Sequence, residues 1–234
     1  TTALFKTMCA SRSSLRGFPT KPVPSTVINA SITVTPENKY PKGQHEIMEL
    51  VAYSDDMLRQ FFNRIKSEAW YKNTLFVITA DHIAQPIEDY YKSKAGKYAI
   101  PLVLFSPTGE LKGEDDIVSS HIDIMPTILD YANLPGSYFA HGTSLLDSTR
   151  EGYAMQFENG MYQYVDKDYV LLFDGNRIKE SYKRVNEEQL GAFIPEEVSN
   201  IEKEVIKNIV IKMKAIIQKY NNTLIYNKLY VDKD

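Results

Sequence analysis

The sequence predicts an α/β fold, and three stretches support that prediction. Residues 74–80 form an uncharged run rich in β-branched and aromatic side chains, which is typical of a strand buried on both faces in a helix-covered parallel sheet. Apolar residues recur at helical spacing in residues 46–70, and a turn at 71–73 joins the two stretches. Residues 99–105 form a second apolar run of strand length. A helix, a short turn and a buried strand make half of a βαβ unit.

The pattern changes beyond residue 150. The runs 153–157, 161–165 and 169–173 are separated by turn-forming residues, which predicts an antiparallel meander that can face water on one side. Residues 195–220 carry an apolar stripe at helical spacing and are predicted to form a long closing helix. We therefore expect a core in residues 1–150 and a C-terminal meander with its helix in residues 151–234.

Composition excludes some classes of protein. The 234 residues are 43% hydrophobic and 24% charged, as expected of a folded globular chain. A net charge of −3 argues against a nucleic-acid partner, because such partners need a basic face. No apolar run approaches the ~20 residues of a membrane span. Because the chain begins at Thr1 rather than Met, we expect a processed or truncated product, with any membrane association through segments outside it.

Asp81 and His82 directly follow the first buried strand. Ligands of open α/β sheets bind outside the carboxyl ends of the strands, and carboxylate oxygen and imidazole nitrogen both bind Zn²⁺ or Mn²⁺. The pair is therefore a candidate metal site, although an Asp-His pair can also simply end a strand. The long polar loop 83–98 that follows is either a substrate wall or lid, or a plain surface loop.

A Ser/Arg-rich stretch at residues 11–16 offers a second candidate. Hydroxyl groups beside arginines suit a nucleophile with clamps for phosphate or sulfate, although such stretches are also common solvated turns. His121 lies just before a predicted helix that Asp123 can cap and whose first turn suits Pro126. His121 could hold an anion there, or be a hydrogen-bonded structural histidine.

Three motifs in order resemble the alkaline-phosphatase/sulfatase superfamily. They are Thr-Ala-Asp-His at 79–82, Tyr-Ala-Ile-Pro at 98–101 with Ser-Pro at 106–107, and Ile-Asp-Ile-Met-Pro-Thr at 122–127. The nearest likeness is to the lipoteichoic-acid-synthase-like branch of phosphoglycerol and phosphoethanolamine transferases. The resemblance implies a three-layer α/β/α sandwich, here followed by a small antiparallel sheet and a closing helix. It makes residues 1–150 a sulfatase-like catalytic core that lacks parts of the family core.

The resemblance also implies a site. It makes Asp81 and His82 ligands of a divalent metal (Mn²⁺, Zn²⁺ or Mg²⁺), and it implies a hydroxyl nucleophile that also binds the metal. Ser13 is the first candidate for that nucleophile and Ser14 the second, with Arg12 steadying the oxyanion. The candidate substrate-binding residues are Arg16, His45 and His121.

The implied function is transfer or hydrolysis of a phosphodiester in a phospholipid head group or envelope polymer, through a phosphoserine. It also implies the extracytoplasmic face of a bacterial cell membrane. A sulfatase is the alternative. A catalytically inactive sulfatase-like domain is another, because the sequence shows neither the family's early acidic ligand nor its substrate-binding His. His45 lies slightly beyond the place of that histidine, and Ile83 follows Asp-His where the family usually has Gly.

Overall fold

The computed structural model describes residues 7–8, 40–41, 43, 45, 47–84, 86–186 and 189–231. The described residues divide between two compact units. One unit holds those within Val77–Leu104 and Leu111–Asp234, together with the short strand β1 (Thr7–Met8). The second holds those within Leu15–Phe76 and Phe105–Glu110. The proposed division at residue 150 stays a prediction.

A small sheet contains β1, β2 (Phe76–Thr79) and β3 (Leu102–Phe105) in the order β1-β3-β2. Strands β1 and β3 are parallel, with Thr7 opposite Leu102. Leu102 and Leu104 in the central strand are buried, as the apolar run predicts. The prediction that β2 is buried on both faces is wrong, because its residues are half-buried and Thr79 is exposed. Among the described strands β2 lies at the edge of the sheet and pairs with β3 alone.

Helix α1 (Ile47–Ile65) confirms the amphipathic helix predicted before β2, and a 3₁₀ turn at Tyr71–Asn73 joins the two. The aromatic side chains of α1 pack within the second unit. The Phe62 ring centre lies 5.1 Å from that of Phe76 and 5.5 Å from that of Phe105, both edge-on. Edge-to-face contacts of this kind are the preferred aromatic geometry. The helix therefore packs through aromatic residues that belong to the apolar repeat of its sequence.

The C-terminal sheet is an antiparallel meander of five strands in sequence order. They are β4 (Ala154–Glu158), β5 (Met161–Val165), β6 (Tyr169–Phe173), β7 (Ile178–Arg184) and β8 (Leu190–Ala192). The first three lie where the sequence predicts them. Asn159 and Gly160 both have positive φ, as a tight turn between β4 and β5 requires.

The meander is covered on both faces at its centre, so the expectation of a water-facing side is wrong for β6. All five residues of β6 are buried. Helix α4 (Asn200–Ile225) packs Ile206, Ile209 and Met213 against one face. Ala95 and Val118 pack against Val170 and Leu172 on the other. The uninterrupted apolar run of β6 is consistent with this burial, although the residues that cover it come from distant parts of the chain.

Two shorter helices complete the description. Helix α2 (Asp89–Lys92) lies in the loop after β2, and α3 (Ile124–Tyr131) confirms the helix predicted after Asp123, with Pro126 in its first turn. Ser199 caps the N-terminus of helix α4, because its hydroxyl accepts a hydrogen bond from the Glu202 amide. Within the described part of the chain, no helix combines the length and apolar character that crossing a membrane requires.

Candidate metal-binding edge

Asp81 and His82 lie on the turn that follows β2, with side chains 87% and 68% exposed. The Asp81 carboxylate accepts a hydrogen bond of 2.9 Å from the His82 amide through Oδ1. Its second oxygen, Oδ2, lies 3.4 Å from His82 Nε2. One carboxylate oxygen and one imidazole nitrogen therefore face each other at an open edge that a substrate can reach.

The backbone fixes the orientation of the His82 ring. Nδ1 lies 2.7 Å from the carbonyl oxygen of Ile83, and because a carbonyl can only accept, Nδ1 carries the proton. In the neutral ring the lone pair is then on Nε2, the atom that faces Asp81. A histidine that donates one ring N–H to a carbonyl and presents the other nitrogen is the usual arrangement of a metal ligand.

The separation of the two ligand atoms suits a metal ion. Two ligands bound about 2.0–2.2 Å from a tetrahedral ion lie roughly 3.3–3.6 Å apart, and Asp81 Oδ2 and His82 Nε2 are 3.4 Å apart. The pair therefore fits a divalent cation as two of its ligands. Within the described ranges no group of three or more His, Cys, Asp or Glu residues is placed to hold a metal, at this edge or elsewhere, so Asp81 and His82 form a pair without a third such ligand among those residues. A protonated His82 in an ion pair with Asp81 is the competing explanation of the same distance.

Two hydrogen bonds hold the end of β2 that carries the pair. The Thr79 hydroxyl donates to the carbonyl oxygen of Pro101, just before β3, at 2.9 Å. His121 Nε2 lies 2.9 Å from the carbonyl oxygen of Ala80, the residue directly before Asp81. The structure thus gives His121 the hydrogen-bonded structural contact that the sequence left as one of two alternatives. Its role in substrate binding stays a prediction.

Asp123 anchors the segment that carries His121. Its side chain is buried, and its two oxygens accept from the amides of Ser120, at 2.9 Å, and Thr143, at 2.8 Å. Burial raises the pKa of the Asp123 carboxyl, and the two amide hydrogen bonds oppose that shift. The prediction that Asp123 caps the helix after it is wrong, because its side chain makes no cap hydrogen bond to α3. The carboxylate instead accepts the Ser120 amide in a capping box of the 3₁₀ turn His121–Asp123 and the Thr143 amide of a second loop.

Gly142 lies where that second loop approaches most closely. A Cβ atom at Gly142 would lie 2.2 Å from the carbonyl oxygen of Ile122, which only glycine avoids. Further along, the Leu145 amide donates to the Thr127 hydroxyl at 2.9 Å. Residues 122–127 therefore hold α3 against the loop 142–145. The sequence motif alone does not predict these contacts.

The loop after the pair is anchored in its second half. Lys97 Nζ lies 2.9 Å from the Glu158 carboxylate, to which the Tyr98 hydroxyl also donates. Ala95 is buried, and a Cβ on Gly96 would lie 2.0 Å from the Tyr90 carbonyl oxygen. The stretch 93–98 is therefore packed in place, while the residues nearest Asp81 remain candidates for a substrate wall.

The other predicted site residues fall in two groups. Arg12, Ser13, Ser14 and Arg16 lie outside the described residues, so their roles stay predictions. His45 is exposed and belongs to the second unit, where its carbonyl oxygen accepts the Met48 amide at 3.0 Å, at the start of α1.

One ion pair between a buried arginine and a half-buried aspartate has no signal in the sequence. Arg150, with a side chain 3% exposed, lies 3.0 Å from Asp115. In the described chain Arg150 Nε is buried without a hydrogen-bond partner. Residues 35 positions apart in the sequence carry no local pattern that could predict such a pair.

The fold is α/β and matches that of an alkaline phosphatase superfamily protein of known structure from Vibrio parahaemolyticus. That likeness has a TM-score of 0.66 at 20% identity and covers 86% of this chain and 47% of the other. A Bacteroides thetaiotaomicron protein labelled 4S-sulf, from work on the metabolism of multiple glycosaminoglycans, matches with a TM-score of 0.55 at 17% identity. It covers 79% of this chain and 46% of the other.

Residues 20–134, just under half of the chain, match the family model described as Sulfatase. Among curated proteins, arylsulfatase K of Gallus gallus is 30% identical over 101 residues, which are 42% of this chain and 19% of that protein. This chain therefore covers about half of each solved structure and a fifth of the curated relative. The sulfatase segment includes Asp81, His82 and His121, so the candidate edge lies within the part that is similar to the family.

Proposed function

We propose that this chain forms part of a sulfatase-like, metal-dependent enzyme that cleaves or transfers a sulfate or phosphate ester at the Asp81–His82 edge. The observation that carries the proposal is the 3.4 Å separation of Asp81 Oδ2 and His82 Nε2, with His82 oriented by the Ile83 carbonyl. A divalent metal bound there would act as a Lewis acid and lower the pKa of a hydroxyl group.

Each candidate residue has a separate role in the proposed reaction. Asp81 and His82 hold the cation at an open edge, and the Ala80–His121 hydrogen bond keeps that edge in position. In the proposed reaction the Ser13 oxygen forms a bond to phosphorus or sulfur, and the ester oxygen leaves as an alcohol that takes the serine proton. Water or an acceptor hydroxyl then displaces the serine, which regains a proton. Arg12 stabilises the negative charge on the non-bridging oxygens of the phosphorus or sulfur centre in the transition state.

Two substrate classes are proposed, each on a different ground. The order of motifs at 79–82, 98–107 and 122–127 favours a phosphodiester, such as a phospholipid head group or an envelope polymer outside the cell membrane. The likeness to an arylsulfatase favours a sulfate ester. A phosphodiester has an ester oxygen on both sides of phosphorus, whereas a sulfate monoester has one ester oxygen and one negative charge shared by three terminal oxygens. The two classes are therefore separable with simple chromogenic esters.

The test is turnover of bis-p-nitrophenyl phosphate and of p-nitrophenyl sulfate with Mn²⁺, Zn²⁺ or Mg²⁺ present. Metal-dependent turnover of one substrate that is lost in Asp81→Ala, but kept in Lys167→Gln, supports the proposal and assigns the substrate class. Lys167 is a suitable control because its side chain is 81% exposed on the turn before β6. Turnover of neither ester contradicts the proposal and favours an inactive sulfatase-like domain. Turnover that Asp81→Ala leaves unchanged contradicts the placement of the reaction at the Asp81–His82 edge.

A further inference from the structure

The end of α4 and the residues after it expose an apolar surface. Every residue from 224 to 231 is exposed, and six of these eight are aliphatic or aromatic. They are Leu224, Ile225, Tyr226, Leu229, Tyr230 and Val231, with Ile225 72% and Tyr226 65% exposed. Exposed apolar side chains scattered singly need no explanation, but a contiguous group marks a contact site. We call residues 219–231 the C-terminal surface.

Lysines predominate in this region. Residues 205–231 contain five lysines and no acidic residue, although Asp232 and Asp234 follow and the whole chain has a net charge of −3. Lys207 and Lys212 form ion pairs with Glu204 and Glu151. Two of the lysines, Lys219 and Lys228, lie in the C-terminal surface and are exposed. An exposed surface that is both apolar and basic is typical of segments that bind the interface of an anionic membrane.

A cavity of about 440 Å³ opens in the same surface. The residues that line it include Lys219, Lys228, Gln218, Asn222 and Tyr226, and most of the lining surface is apolar. Asn222 O accepts the Tyr226 amide at 3.0 Å and Thr223 O accepts the Lys228 amide at 2.8 Å, so backbone hydrogen bonds hold the end of the helix. The cavity therefore continues the apolar surface, with two lysine residues at its lining.

We propose that the C-terminal surface binds an anionic phospholipid membrane, with its lysines at the level of the headgroup phosphates and its aliphatic side chains in the headgroup–acyl boundary. Lys219 and Lys228 attract the phosphates, Ile225 and Leu229 bury apolar area, and the tyrosines suit the interfacial layer. The proposal goes beyond the proposed function and does not depend on catalysis or on a metal.

Other occupants fit the surface less well. A second copy of the chain would bring this surface against itself, because two-fold contacts are self-complementary, and lysines would then face lysines. The stretch 1–36 has Lys6, Arg12, Arg16 and Lys21 but no acidic residue, so it is not complementary in charge. A soluble polyanion would pair with the lysines but would leave the aliphatic side chains in water. A lipid interface satisfies both features.

The test is co-sedimentation of the chain with vesicles of pure phosphatidylcholine and with vesicles that also contain phosphatidylglycerol. We expect the chain to sediment with the anionic vesicles alone, and more weakly at high salt. Lys219→Gln and Lys228→Gln should each lower the partition coefficient about fivefold, and Ile225→Ser should lower it several-fold. Circular dichroism of each variant checks that the fold is kept.

Matched controls lie on the turns of the meander. Lys167→Gln removes an exposed lysine, and Val185→Ser removes a valine that is 68% exposed. Neither should change sedimentation. Equal binding to both kinds of vesicle, no binding to either, or the same loss from the controls would overturn the proposal. So would concentration-dependent dimerisation that Ile225→Ser abolishes, because the surface would then be an interface between copies.

Discussion

His121 Nε2 lies 2.9 Å from the carbonyl oxygen of Ala80, so a residue 41 positions away holds the peptide that precedes Asp81. The contact links the 3₁₀ turn in front of α3 to the end of β2. A carbonyl oxygen accepts only, so His121 donates through Nε2. The position of the Asp81–His82 edge therefore depends on a histidine that need not itself contact a ligand.

Loss of the hydrogen bond between His121 and Ala80 should weaken metal binding by Asp81 and His82. Removing groups that orient metal ligands typically costs 10–100-fold in affinity, and we expect about tenfold for His121→Ala because His121 acts through the backbone. His121→Gln retains an N–H donor and should recover most of the affinity. Calorimetric titration of each variant with Zn²⁺ and Mn²⁺ measures the change. Equal affinities in all three proteins would show that the edge is positioned without His121.

Removal of the Asp123 carboxylate should destabilise the fold. Two amides lose their acceptor in Asp123→Ala, that of the buried Ser120 and that of the exposed Thr143. An unsatisfied buried group costs about 1–3 kcal/mol, so loss of the acceptor of the Ser120 amide should lower the free energy of unfolding by about 1–3 kcal/mol. Asp123→Asn keeps one acceptor oxygen and should lose about half as much. Urea denaturation measures both, and a loss below that of an exposed control such as Lys167→Gln would contradict the assigned role.

The Asp115–Arg150 pair should respond unequally to loss of either partner. Asp115→Ala leaves the buried Arg150 guanidinium without its counter-charge and should cost about 3–5 kcal/mol of stability. Arg150→Met removes the charge together with the unpartnered Nε and keeps much of the side-chain volume. We expect it to cost less than Asp115→Ala. Denaturant unfolding of the two variants gives the order, and the reverse order would be evidence against a buried pair.

Stability should fall in acid partly through Asp56 on α1. The Tyr40 hydroxyl donates to its carboxylate, and with Arg59 it lowers the pKa of Asp56 from 3.8 to about 2. Because the pKa is lower in the folded chain, the stabilisation is present above pH 3.8 and is lost as the pH falls towards 2. The stability difference between the wild-type chain and Asp56→Asn should shrink over that window. A constant difference would show that the contact does not perturb the carboxyl.

Local patterns predicted much of the fold. The periodicity of residues 46–70 gave α1, the apolar runs gave β2 and β3, and turn residues placed the strands β4 to β6. Strands β7 and β8 were missed because polar residues alternate irregularly along β7 and because β8 has three residues. The burial of β6 on both faces depends on Ala95 and Val118, which come from distant parts of the chain.

The candidate site also combines features that the sequence predicts with contacts that only the structure shows. Adjacent residues such as Asp81 and His82 are visible in the sequence, and their position after β2 follows from the strand pattern. The contact of His121 with Ala80 and that of Asp123 with Thr143 span 41 and 20 residues, so no spacing rule predicts them. The motif at 122–127 was recognised as a likeness, but the structure shows what it does physically, which is to hold α3 against a neighbouring loop.

The most direct test of the metal-binding edge is calorimetric titration of the purified chain with Zn²⁺ and Mn²⁺, compared with Asp81→Ala. We predict saturable binding to the wild-type chain and a loss of at least tenfold in affinity for the variant. The control Asp89→Ala changes another exposed carboxylate in the loop after β2 and should bind as the wild type does. No saturable binding, or binding that Asp81→Ala leaves unchanged, would contradict the account and leave Asp81 and His82 as an ordinary ion pair.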